Sequence, residues 1–506
     1  MIIIYFSYYR GIWVVHFSPL CIFLGSSLCA SVCFAAEQSQ NSSQEQTRST
    51  LQQYSFAYAK PCEEIQPQSQ LLKALQQKIA SQPSQHDISD TLNHFWKQIE
   101  SQGTPIVETL DSEHSRVIYL WRGAQHNVRL IGGPSNDHEW LTRLSKTDLW
   151  FKESIVDNRF IGSYRFAVDV PNLEGYLSHY CPQLNPELKE SRTQRRAILG
   201  VQQLDPFNPH QLSSDSTNYQ QAKISSPIRL NHENVFALSD APDFIDPQQF
   251  PHYPSPVLKS YRLFSPTLGN DRLVQIYRSQ LSKGDSSYIT AIFFDGEHYA
   301  KLLQVAKALD ILVKQGRLPP IQAIFLSHPS DELRPQELTP NAKYTQFFQK
   351  EFLPWLDQQL TAPRDPNKTV LLGSSLGGLS SAYLAFALPN QISHVVPMSG
   401  SFWWKSLASD TPNGMSQLIR QDQHLKRRFQ HWYITANLYE TSRNNGLSIL
   451  DTSPIVANDL AERGHDVTYK QYVGGHSYAI WQVILQEALL HFFADSDTVN
   501  QNSNGI

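Results

Sequence analysis

The stretch Leu371-Leu372-Gly373-Ser374-Ser375-Leu376-Gly377-Gly378 sets a serine at the centre of a G-x-S-x-G elbow. A serine hydroxyl is a weak nucleophile at neutral pH. It works only where the fold holds it on a sharp turn, beside a base and facing backbone N–H donors for the developing oxyanion. The flanks meet that requirement: an apolar, β-prone run from Lys368 to Leu372 enters the elbow, and a small-residue-rich, helix-prone run from Leu376 to Leu388 leaves it. Ser375 is therefore the candidate nucleophile, and the N–H of Leu376 one candidate oxyanion donor.

The base and its partner must come from later in the chain, because a serine elbow of the α/β-hydrolase kind is followed by its acid and then its histidine. His476 follows the β-prone run Val467 to Val473 through Gly474-Gly475, a pair able to carry an imidazole over the strand ends. Of the other late histidines, His394 and His431 open strands and His465 precedes one, at the wrong end of a sheet. Glu440, just beyond the run from His431 to Ala436, is placed to accept from the second ring nitrogen and fix the tautomer, with Asp451 as its rival. A second pair of oxyanion donors is expected in the loop Phe294-Asp295-Gly296-Glu297, at the N–H groups of Gly296 and Glu297.

These residues need a scaffold, and the pattern from about residue 256 supplies one. β-prone runs at 273–279, 288–294, 321–327, 369–373, 394–398, 432–436 and 467–473 alternate with helix-prone runs at 300–316, 341–360, 376–388, 454–463 and 478–493. Such alternation predicts a mostly parallel sheet covered on both faces, with ligands beyond the carboxyl ends of its strands. The fold class is α/β: an α/β-hydrolase domain over 256–495, preceded by a β-sandwich-like domain over 89–255. In the latter, runs such as Val117 to Arg122, Val128 to Ile131 and Tyr164 to Val168 are separated by Gly, Pro, Asn and Asp. Residues 181–255 read as an irregular connection. Residues 37–88 read as a polar, partly ordered linker with a helical patch at Leu71 to Ile79, and 496–506 as a disordered tail.

A chain of 506 residues with 41% apolar content can build more than one core. Its net charge of −4, with no long Lys/Arg run, gives no electrostatic basis for binding nucleic acid. The histidines show no metal-ligand spacing and no cofactor is called for. Residues 1–36 carry a single charge, Arg10, before an abrupt turn to Gln/Ser-rich sequence. They read as a secretory signal removed near Ala35 or Ala36, giving a periplasmic or secreted protein that meets a membrane only if the leader is retained. Cleavage leaves Cys62 and Cys181, which an oxidising compartment could join or leave as two thiols.

Several blocks together resemble the enterochelin (enterobactin) esterase family: Asp295-Gly296-Glu297, Arg334-Pro335-Gln336-Glu337-Leu338 with Asn341, the elbow from Gly373 to Ser380, Ser399-Gly400-Ser401-Phe402-Trp403-Trp404 and Gly474-Gly475-His476. Weaker likeness at Phe95-Trp96 and Asp205-Pro206-Phe207-Asn208-Pro209 extends it over most of residues 90–495. The resemblance implies hydrolysis of a ferric catecholate trilactone siderophore, with Ser375 as nucleophile, His476 as base and Glu440 as acid. It puts Arg334 and the pair Trp403-Trp404 where substrate contacts would fall, and guanidinium donors and aromatic faces suit a polyanionic catecholate complex. The family's known two-domain members lack an export signal, and the segment around Asn437 lacks a family-like glycine before the acid. Two other readings remain: a feruloyl- or acetyl-type carbohydrate esterase, and a siderophore-binding protein without catalysis.

Overall fold

The computed structural model describes residues 65–135, 139–173, 192–212, 232–281, 287–361, 364–404, 414–422, 429–441 and 447–494, together with the short strands Tyr5–Tyr9, Ile12–His16 and Ala57–Tyr58. In the amino-terminal unit, Met1–Ala57, the described residues form an antiparallel hairpin of Tyr5–Tyr9 with Ile12–His16. The expected cleavage site, Cys62, Cys181 and the tail from 496 lie outside the described residues. Among the described residues no helix is long and apolar enough to cross a membrane.

The unit Tyr58–Ile506 begins where a linker was expected, and from Gln70 the chain is helical instead. Helices α1 (Gln70–Ala80) and α2 (Gln85–Gln102) are each started by a serine, Ser69 and Ser84, whose hydroxyl accepts a first-turn N–H. Leu92, Phe95, Trp96 and Ile99 recur at helical spacing, and with Leu72, Leu75 and Ile79 they form one apolar face. That face covers a sheet. Strands β1 (Ile106–Thr109), β2 (His114–Arg122), β3 (Val128–Gly132), β4 (Glu139–Trp140), β5 (Thr142–Arg143), β6 (Leu149–Asp157) and β7 (Ile161–Val168) come first. Helix α3 (Arg192–Gly200) and strands β8 (Gln202–Gln203), β9 (Gln211–Leu212) and β10 (Glu233–Ala237) follow.

They make two antiparallel sheets, β1-β2-β6-β5 and β9-β10-β7-β3-β4, with β8 on β7. Between the sheets lies an aromatic core of Tyr119, Trp121, Trp150, Phe160, Tyr164 and Phe166. The helices bury the outer face of the four-stranded sheet through Ile118, Leu120, Leu149 and Phe151. Covered on both faces, β2 is apolar and buried without alternation from Val117 to Trp121. The sandwich expected from sequence is present, with a helical layer added.

The second half follows the strand-helix rhythm. Strands β11 (Lys259–Ser265), β12 (Asn270–Arg278), β13 (Ile289–Phe294), β14 (Ile321–Leu326), β15 (Thr369–Ser374), β16 (His394–Met398), β17 (His431–Asn437) and β18 (Asp466–Tyr472) form one sheet in the order β11-β12-β14-β13-β15-β16-β17-β18. The six strands from β14 to β18 in that order run parallel, and β11 and β12 add an antiparallel edge. Helices α4 (Val305–Lys314) and α7 (Tyr478–Phe493) contribute to the core on one face. Helices α5 (Leu376–Ala387) and α6 (Ile449–Glu462) contribute to the core on the other. This is the α/β-hydrolase architecture.

Candidate active site

Three non-glycine residues with positive φ stand at the carboxyl ends of neighbouring parallel strands: Asp295 (55°) after β13, Ser375 (57°) after β15 and Ser399 (47°) after β16. Each such residue costs about 1–3 kcal/mol and persists only where its surroundings impose it. Around Ser375 they do. Its N–H donates to the Met398 carbonyl at 3.1 Å, and its own carbonyl accepts from the Ser401 N–H at 3.0 Å. The entering and leaving arms approach so closely that a Cβ on Gly373 would sit 2.4 Å from the Gly377 backbone. Ser375 thus precedes α5 on a turn that only glycine at 373 permits, and the first N–H groups of α5, beginning with Leu376, have no intrahelical acceptor.

The Ser375 hydroxyl opens into a cavity of ≈ 730 Å³ that His476, Glu440, Ser401 and Trp403 also line. His476 Nδ1 is 2.7 Å from Glu440 Oε1, while Glu440 Oε2 accepts the Asn437 N–H at 2.8 Å. The carboxylate is 6% exposed, so these two contacts define its geometry. Behind the imidazole, the Trp481 ring meets it edge-on at 4.9 Å and donates from its own Nε1 to Ser399 Oγ at 2.9 Å. Asn437 Nδ2 donates to Ser399 Oγ and to the Gly475 carbonyl, both at 3.0 Å. Asp451, the rival acid, is occupied elsewhere. It closes a capping box with Ser448 at the start of α6, and those hydrogen bonds hold its carboxyl below the usual range.

The other expected residues fall in different places. Trp403 lines the cavity and is 44% exposed, whereas Trp404 packs against the α/β core and over Gly414. Arg334 is not on the cavity wall. Its Nε and Nη2 donate to the Asp295 carboxylate at 2.7 and 2.6 Å, and His328 Nδ1 is 3.1 Å from the same group. Burial alone would favour the neutral acid, but Arg334 and His328 override it and hold the Asp295 carboxyl far below its ordinary value. The substrate contact expected for Arg334 is therefore corrected to an ion pair that fixes the loop after β13. Gly296 and Glu297 open a helical turn in that loop and do not line the cavity. A Cβ on Gly296 would lie 2.4 Å from the Phe325 backbone, so the glycine serves close packing on β14. The Glu297 carboxylate is paired with Lys301 at 2.9 Å.

Ser401, with its hydroxyl 3.4 Å from that of Ser375, and the Ser399-Asn437-Trp481 network are site residues the sequence reading missed. Their signal was positional, since all but Trp481 stand at or just beyond the carboxyl ends of β16 and β17. The far wall was missed as well. Ser163, Arg165, Gln202 and Glu233 of the β-sandwich line the same cavity, and Arg165 is held by Glu233 at 3.0 Å and Gln202 at 2.9 Å.

A serine on a strained elbow and a histidine-carboxylate pair, opening on one cavity of an α/β-hydrolase fold, define a serine carboxylic ester hydrolase. The Esterase family model matches residues 265–492, and the model of the enterochelin esterase amino-terminal domain matches residues 116–233. An iron(III) enterobactin esterase of Dickeya dadantii is 25% identical over 416 residues, 77% of this chain and 90% of that protein. One of Yersinia enterocolitica is 26% identical over 360 residues, 66% of this chain and 94% of that protein. Among solved structures, the enterobactin esterase of Shigella flexneri, crystallised in the presence of enterobactin, shares the fold with a TM-score of 0.61 at 22% identity. It covers 78% of this chain and 97% of its own. The ferric enterobactin esterase of Salmonella typhimurium does so at 0.62 and 21%, over 79% and 98%. The two matched segments and these relatives together support the enterochelin esterase family.

Proposed function

We propose that this protein hydrolyses the ester bonds of a ferric catecholate trilactone siderophore of the enterobactin type, opening the ring so that iron is held less tightly. The observation that carries the reading is the shared cavity. Its reactive wall has the parts of acyl transfer, and its other wall comes from the domain matched by the enterochelin esterase amino-terminal model.

In this reading Ser375 attacks a lactone carbonyl while His476 takes its proton, and Glu440 holds the imidazole in the required tautomer. The N–H of Leu376 receives the oxyanion. Collapse expels the serine-side oxygen of the next unit, which takes the proton from His476, and water then releases the acyl group. Trp403 offers an aromatic face to a catechol. Parallel rate measurements on ferric enterobactin and on a feruloylated sugar test the substrate class. A higher kcat/KM for the siderophore is expected, and preference for the sugar would overturn the reading.

Export remains part of this proposal. The single-charge leader and the polar segment after it support a periplasmic or secreted enzyme. Amino-terminal sequencing of the protein recovered from the periplasm should begin near Glu37, and recovery of the uncut chain from the cytoplasm would refute export.

A further inference from the structure

The two loops that carry the histidine-carboxylate pair are also part of the β-sandwich. Val473, three residues before His476, is a member of the sandwich's aromatic core, and Tyr439, the neighbour of Glu440, packs against it. The Tyr439 ring meets the fully buried Phe160 edge-on at 5.7 Å. The Ile161 N–H, at the start of β7, donates to the Val473 carbonyl at 3.3 Å. The glycines before His476 fit closely on sandwich backbone: a Cβ on Gly474 would lie 3.0 Å from the Ile161 carbonyl oxygen, and one on Gly475 would lie 3.2 Å from that of Gly133. The loops are also tied to each other, by Leu438 N–H to Tyr472 carbonyl at 2.9 Å and Tyr439 N–H to Gly474 carbonyl at 3.1 Å.

We propose that the β-sandwich, through Phe160 and the backbone of Ile161 and Gly133, is the positioning element for the histidine-carboxylate half of the active site. The serine half needs no such help, since its elbow is fixed by β15, β16 and α5 within the α/β domain. The acid and the histidine stand on turns at the last two strands of the sheet, β17 and β18, where β18 has a neighbour on one side only. The sandwich supplies what that edge lacks. Phe160 acts through Tyr439 on Glu440 and does not itself line the cavity. This inference rests on the serine-histidine-glutamate reading above.

The test is Phe160→Leu, which keeps an apolar side chain but removes the aromatic edge contact, assayed on p-nitrophenyl butyrate. Leu75→Ala in α1, far from the cavity wall, serves as the control for lost stability alone. With active enzyme counted by fluorophosphonate titration, Phe160→Leu should lower kcat about tenfold at unchanged KM. Leu75→Ala should lower Tm while leaving kcat and KM as in the wild type. A kcat for Phe160→Leu equal to that of Leu75→Ala, or a loss expressed in KM alone, would overturn the proposal. If Phe160→Leu does not fold, Gly474→Ala, which pushes the histidine loop off Ile161 from the other side, is judged by the same split of kcat from KM. If Ser375→Ala is as active as the wild type, the underlying reading fails and this one with it.

Discussion

His476 Nδ1 lies 2.7 Å from Glu440 Oε1, and the other carboxylate oxygen is already committed to the Asn437 N–H. That commitment decides what an amide would do here. In Glu440→Gln the Asn437 N–H keeps the amide oxygen, so the NH2 faces the imidazole and forces the wrong tautomer. We expect kcat to fall by about 10³–10⁴ with little change in Tm, as for loss of the acid in other triads. Asp451→Asn weakens only the α6 cap and should cost about 1 kcal/mol of stability with no loss of kcat. Steady-state kinetics and urea unfolding of both variants check the assignment of the acid.

Arg334 separates a binding role from a structural one. Its guanidinium is the permanent cation on a buried carboxylate that otherwise has only the His328 imidazole, so Arg334→Ala leaves most of that charge uncompensated. Breaking such a pair costs about 3–5 kcal/mol. The expected result is a large drop in unfolding free energy near neutral pH. A variant of unchanged stability with a raised KM would instead restore the substrate contact expected from sequence.

The adjacent tryptophans should respond oppositely. Trp403 is on the cavity wall and half-exposed, so Trp403→Ala should raise KM for an aromatic siderophore several-fold and leave Tm nearly unchanged. Trp404 packs against the core, and Trp404→Ala should destabilise by about 2–4 kcal/mol with little effect on KM. Thermal unfolding alongside KM for ferric enterobactin distinguishes the two.

The base of the sheet contains an acid-sensitive site. Burial, then the positive charge His431 can carry, push the His394 imidazole down from 6.5 to about 3. It stacks on the His431 ring at 4.7 Å, with Asp466 2.8 Å from the latter, and the rings of Phe492 and Phe493 enclose it. A histidine depressed in the folded state contributes stability above its unfolded pKa and loses it as the pH falls below that value. Between pH 7 and pH 4 this site should cost the wild type about 3 kcal/mol. His394→Phe should flatten the curve of unfolding free energy against pH by that amount, and superimposable curves would refute it.

Much of this was legible in the sequence because the relevant signals are local. The elbow at Gly373 to Gly378 announces itself by residue type, and buried parallel strands such as Ile321–Leu326 read as apolar runs bounded by turns. His476 and Glu440 followed from chain order and from their positions after strands. What was missed depends on partners distant in sequence. Helix α2 has clear helical spacing at Leu92, Phe95, Trp96 and Ile99, yet its Gln- and Ser-rich surroundings mask it until the outer face of β2 and β6 is seen to need a cover. Arg334 has the chemistry of a substrate ligand, and only the fold shows Asp295 already holding it. The sandwich's share of the cavity wall has no local signal, because Arg165 and Glu233 meet only across paired strands.

The central claim is tested most directly by chromatographic product analysis after incubating ferric enterobactin with the purified wild type and with Ser375→Ala. The account predicts ring-opened, linear catechol-acyl serine products from the wild type and an intact trilactone with the variant. Linear products from Ser375→Ala at the wild-type rate, or an untouched trilactone with active-site-titrated wild type, would contradict it.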